Sequence, residues 1–61
     1  MERFIVSIEG AGWSETEEIE LPRLPQVGEP LQTNYGTLLV AETEPAPPSG
    51  PYAGKITCRM P

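Results

Sequence analysis

The chain has no histidine and no aspartate, one cysteine, and an aromatic content of only 7% across its 61 residues. Each scarcity excludes a class of chemistry. Without histidine or aspartate, a nucleophilic site needs Cys58 or a serine with Lys55 as its base, because a thiol or hydroxyl must be activated by a neighbouring acceptor. Cys58 alternates in phase with Ile56 and Met60, so it reads as a small buried hydrophobe. One thiol without imidazoles cannot supply the ligand set of a structural zinc site, and it cannot form an intrachain disulfide. No metal and no cofactor is expected. Acid–base catalysis by glutamates alone requires two carboxylates facing each other across a cleft. A barrel of this length has little interior beyond its packed core. Gly10-Ala11-Gly12 lacks the lysine and the helix that complete a phosphate loop. The expectation is a protein that binds and does not catalyse.

Basic residues are scarce as well: four Lys and Arg face nine acids, all of them glutamate, for a net charge of −5. Phosphate-tracking nucleic-acid binders need a basic stripe, and anionic membranes attract clustered Lys and Arg. Direct contact with either is therefore not expected. No run approaches the roughly 20 apolar residues that span a bilayer. Met1-Glu2-Arg3-Phe4 passes straight into an alternating segment with no signal-peptide core. With a lone thiol, this leads to an expected place in a reducing cytoplasm. Residues 1–61 have room for one domain, and a chain this short buries only about 60% of the surface its unfolded form exposes. Association with a protein partner, or with further copies of itself, stays open as a way to bury more.

What is present is a series of strand signals. In Glu2 to Glu9, Phe4, Val6 and Ile8 alternate with Arg3, Ser7 and Glu9, the period of a half-buried strand. Gly10-Ala11-Gly12 supplies the reversal. Trp13 to Leu21 admits two readings. Ser14 and Glu17 match a helix capping box, whereas Ile19 and Leu21 alternate with Glu18 and Glu20. Pro22 would cut a helix to about two turns, so a strand antiparallel to the first is the preferred reading. Leu-Pro-Arg-Leu-Pro at 21–25 is extended, and a short third strand runs from Leu31 toward Thr33. Asn34-Tyr35-Gly36 is a second turn. Thr37 to Glu44 reads as a fourth strand, with Leu38, Val40 and Glu42 on one side and Leu39, Ala41 and Thr43 on the other. Apolar residues on both sides mark it as the central strand. Pro45 to Pro51 reads as an exposed loop unable to join a ladder. The fifth strand, Tyr52 to Met60, sets Ile56, Cys58 and Met60 against Lys55, Thr57 and Arg59. Its basic face favours a place beside the acidic first strands. The expected fold is all-β, a small five-stranded antiparallel barrel.

Three features are candidates for partner binding. The first is the acidic cluster Glu15, Glu17, Glu18 and Glu20, which can dock on an Arg- and Lys-rich surface or simply be a solvated face. In a strand, Glu18 and Glu20 share a side that Glu15 and Glu17 do not. The second is Trp13 beside the glycine turn, either an anchor for a partner or a cap on the barrel's open end. Tyr35 and Tyr52, also next to loops, form the third. If the three rings gather at one end, a site there is better supported. The proline segments 21–25 and 45–48 lack the basic flanks of a polyproline ligand and read as linker and loop.

Leu24-Pro25-Gln26-Val27-Gly28-Glu29, followed by Thr37 to Ala41 and Lys55 to Arg59, resembles a layout of small bacterial and phage barrels. There a proline-valine-glycine-acid turn leads into a short strand, an apolar strand and a closing strand, as in SH3-like barrel domains. The resemblance covers roughly 40 of the 61 residues and speaks to fold more than to function. It implies an SH3-like barrel serving as a protein-binding or accessory module, and it transfers no site residue. In size and charge the chain is also similar to phage-encoded inhibitors of bacterial defence, which implies an acidic protein occupying a basic, nucleic-acid-binding surface. A third reading is a self-assembling structural subunit, motivated by Ile5 and Leu39 on otherwise polar or second faces.

Overall fold

The computed structural model describes residues 1–47 and 49–60. The alternating segments form five strands: β1 Glu2–Gly10, β2 Trp13–Leu21, β3 Pro30–Thr33, β4 Gly36–Pro45 and β5 Gly54–Arg59. They make one curled sheet in the order β2-β1-β5-β4-β3, a half-barrel. Among the described residues, no helix is long and apolar enough to cross a membrane.

The segment that admitted helix or strand is a strand. β2 pairs with β1 along its whole length, from Gly10↔Trp13 to Glu2↔Leu21. The loop between them is two residues, Ala11 and Gly12, and Gly12 adopts φ +79°, a conformation that costs glycine little. β5 lies beside β1, but the two run parallel, so the sheet is mixed and the antiparallel expectation is corrected. The reason is parity. β1·β2, β3·β4 and β4·β5 are antiparallel, and an odd number of strands alternating in direction returns the last strand in the sense of the first.

The place of β4 is also corrected. β5 is the central strand and β4 lies between it and the edge strand β3. Leu39, one of the residues behind the central reading, is 63% exposed on the outer side, opposite Pro30. The expected phase of β4 holds only to Val40. Val40 pairs with Cys58, but the register shifts by a bulge, and Glu42 then pairs with Thr57 on the outer side. Without that bulge, Glu42 would point among Ile56 and its neighbours, where an unpaired carboxylate is costly. Pro45 likewise joins the ladder, as the last residue of β4 opposite Gly54, and the strand end is where a proline's missing donor does least harm. In the loop that follows, Pro48 lies outside the described residues.

The core fills the concave side. Phe4, Val6 and Ile8 of β1 meet Ile56 and Cys58 of β5, with Leu31, Leu38 and Val40 completing the cluster and Ile19, Leu21 and Leu24 packed against it. Leu24 packs closely over Gly54. A methyl group at Gly54 would come within 3.0 Å of Leu24 Cδ1 and 2.9 Å of the Glu44 carbonyl, so the close approach requires glycine. The 22–29 connection crosses from one edge strand to the other. It is tied to β4 by Gly28 N–H donating to the Val40 carbonyl (2.8 Å) and Val40 N–H donating to that of Glu29 (2.9 Å). β2 and β3, consecutive in the chain, stay unpaired and leave a seam.

Candidate functional site

Directly paired residues on neighbouring strands share a face. The β1–β2 register therefore puts Trp13, Glu15, Glu17 and Ile19 on the side of Ile8, Val6 and Phe4, and Ser14, Thr16, Glu18 and Glu20 on the outer side. The four candidate carboxylates are divided between two surfaces. Glu15 and Glu17 lie at the seam.

There the β3–β4 turn reaches over. Gly36 at φ +96° closes it, and Thr33 holds its shape by accepting the Tyr35 N–H (3.0 Å) and donating to the Gly36 carbonyl (2.8 Å). The Tyr35 hydroxyl donates to Glu15. The Asn34 N–H lies 3.3 Å from both carboxylate oxygens of Glu17. Side chains thus join the sheet ends where backbone pairing is missing. Trp13 and Tyr35 also meet here, with ring centroids 5.4 Å apart and planes tilted by 42°. Each remains 40% exposed. The indole lies over Gly10, where any added methyl group would overlap it, so glycine at that position is what lets the ring fold back across the hairpin. Such covering of a strand glycine by a cross-strand aromatic stabilises the pair.

Tyr52 does not join them. Its hydroxyl donates to Glu18 on the outer face (2.6 Å). That hydrogen bond, with smaller contributions from desolvation and the Glu18 charge, pushes the phenol pKa up. Glu20 is exposed on the same face, opposite Arg3. Two of the three aromatic candidates are together, and the acids accompany both groups.

Sequence reasoning missed two participants. Asn34 acts through its backbone N–H, which no side-chain pattern announces. Arg59 links three strands on the outer face, 3.2 Å from Glu9 and 2.9 Å from Glu42. The hydrogen bonds to Glu42 and then Glu9 raise its pKa further. In the outer groove of about 300 Å³ lined by Glu9, Glu42, Glu44, Lys55 and Arg59, Arg59 is already held by two of the acids. Cys58, fully buried, has its thiol pKa raised by desolvation and then by the charge of Glu17, the reverse of what a nucleophile needs.

The chain matches no family model, no curated protein and no solved structure.

The seam rim carries two aromatic rings, Trp13 and Tyr35, each partly exposed and close to the Glu15 and Glu17 carboxylates. An aromatic face attracts a Lys or Arg head group by about 0.5–1 kcal/mol at an exposed site and about 2 when desolvated. Neighbouring negative charge adds to that attraction. Of the basic residues, Arg23 is held by Glu29 at 3.1 Å and Arg59 by Glu9 and Glu42, which leaves the rim's charge uncompensated by them.

Proposed function

We propose that this chain is a small non-enzymatic protein-binding or accessory module that docks a cationic side chain of a protein partner on the Trp13–Tyr35 rim. The observation that carries the reading is the pairing of two half-exposed rings, brought from opposite ends of the sheet, beside Glu15 and Glu17. Trp and Tyr supply large contact area at low entropic cost, which suits them to anchor a partner. The likeness to SH3-like small barrels supports it in outline only: a curled sheet with β1 beside β5 and a turn at 24–29. A reducing cytoplasm is the proposed setting.

The test begins with partners recovered by tagged protein from nuclease-treated extract of the native cell, followed by affinity measurements on the purified pair. Trp13→Ala is expected to weaken binding at least about tenfold, the loss of one anchor of roughly 1.4 kcal/mol or more. The Glu18→Gln/Glu20→Gln double variant should bind within about threefold of wild type, because these exposed outer-face charges lie away from the docked side chain. Unchanged binding by a folded W13A protein sinks the reading.

A second reading is an acidic inhibitor of a basic, nucleic-acid-binding surface. The net charge of −5 and the outward Glu18 and Glu20 favour it. It requires the opposite pattern: W13A binds normally, and the double Gln variant loses affinity and most of its salt dependence.

A further inference from the structure

The open edge of β2 has a determinate set of free peptide groups. The carbonyls of Arg3 and Glu9 accept bonds from Ala53 and Met60 on the β5 side of β1. In an antiparallel ladder successive residues turn their peptide groups to opposite edges. Phe4, Val6, Ile8 and Gly10 therefore face β2, and their partners Ile19, Glu17, Glu15 and Trp13 face back. The residues between, Ser14, Thr16, Glu18 and Glu20, turn their N–H and C=O groups outward, and β2 ends the sheet. All four are exposed. Unlike many edges, this one has no proline or bulge within its span to block pairing.

We infer that this edge receives an added strand, and that the strand is a basic extended segment of a partner protein. Charge complementarity selects the occupant. A second copy pairing β2 against β2 would place four carboxylates from each chain on adjacent strands, and like charges opposite one another are destabilising. A segment alternating Lys or Arg with β-branched residues turns all its basic residues to one side of the sheet, and on the inner side they meet Glu15 and Glu17. Backbone bonds supply affinity and the alternate side chains supply selection. Running toward the hairpin end of β2, such a segment delivers a basic residue to Trp13, which sits at the strand's start. The inference rests on the docking function proposed above and gives it a binding mode.

The test uses the full chain, isotopically labelled, and a synthetic nonapeptide alternating lysine with valine and threonine at low salt. Binding should slow amide exchange at Thr16 and Glu18 at least about tenfold, with the Val6 amide unchanged. Thr16→Pro removes one outward donor and leaves the β1 ladder alone. Its fold should survive and its peptide affinity should drop about tenfold. A matching peptide with glutamate for lysine should not bind. If the lysine peptide binds and W13A weakens it, but Thr16 and Glu18 exchange as before and T16P binds normally, strand addition is wrong and rim docking stands. If binding ignores both Trp13 and the edge, or does not occur, strand addition is overturned. If the glutamate peptide binds equally well, charge does not choose the occupant and the inference fails.

Discussion

Cys58 illustrates how much one position's surroundings decide. Its thiol is fully buried, and desolvation followed by the nearby Glu17 charge raises its pKa above the ordinary 9.0. The folded state therefore holds its proton longer than the unfolded chain does. The associated stability is intact below the ordinary thiol value and is lost as pH climbs through the folded one. Urea denaturation at pH 8 and at pH 10 should show the wild type losing stability, and Cys58→Val losing less. Equal losses in both proteins would place the alkaline weakness elsewhere, with Tyr52, whose phenol is also raised by its bond to Glu18, the first alternative. At pH 8 the native thiol should react with a disulfide reagent at least about a hundredfold more slowly than in urea, as an inert buried cysteine does.

The elements carry their apolar residues unequally, and β4 and β5 show the contrast. Ile56 of β5 is completely buried between β1 and β4, whereas Leu39 of β4 faces solvent beside Pro30. Ile56→Ala should cost about 2–5 kcal/mol by loss of transfer energy and creation of a cavity. In a small domain whose total stability is itself only several kcal/mol, that change should leave the chain largely unfolded at 37 °C by circular dichroism. Leu39→Ala should shift stability by no more than about 0.5 kcal/mol. Similar losses from the two would mean that Leu39 is covered in solution, as a self-assembling subunit requires. The bulge after Val40 belongs to the same scale: it turns Glu42 out of the barrel and hands it to Arg59.

At the scale of the whole molecule, the half-barrel closes on one side through parallel β1 and β5 and stays open between β2 and β3. An open nine-residue edge strand is an aggregation hazard, and here the defence is charge. Replacing Glu15, Glu17, Glu18 and Glu20 by Gln should remove the repulsion between copies and release β2–β2 pairing. Sedimentation velocity of that variant at millimolar concentration is expected to show dimers or larger species, and the wild type a monomer. Two monomers would show that the glutamates do not guard the edge. The variant also loses the carboxylates that clasp Asn34 and Tyr35, so hydrogen exchange at the β3–β4 turn should quicken in it even where it stays monomeric.

Several features were legible from residue order alone, because each depends on local chemistry. Period-two alternation defined the strand faces of β1 and β5, and Gly12 and Gly36 marked turns that need positive φ. Alternation also separated Glu18 and Glu20 from Glu15 and Glu17 before any partner strand was known. The parallel sense of β1 and β5 was within reach too, since it follows from counting five alternating strands. What only the tertiary structure decided is non-local. The rank of β4 depended on which strands flanked it, not on its own apolar content. The phase of Glu42 depended on a bulge that answers the cost of burying a charge against β5. The meeting of Trp13 with Tyr35, and the parting of both from Tyr52, depended on how far the sheet curls. Curl sums small twists over every strand pair, and no single stretch of sequence encodes that sum.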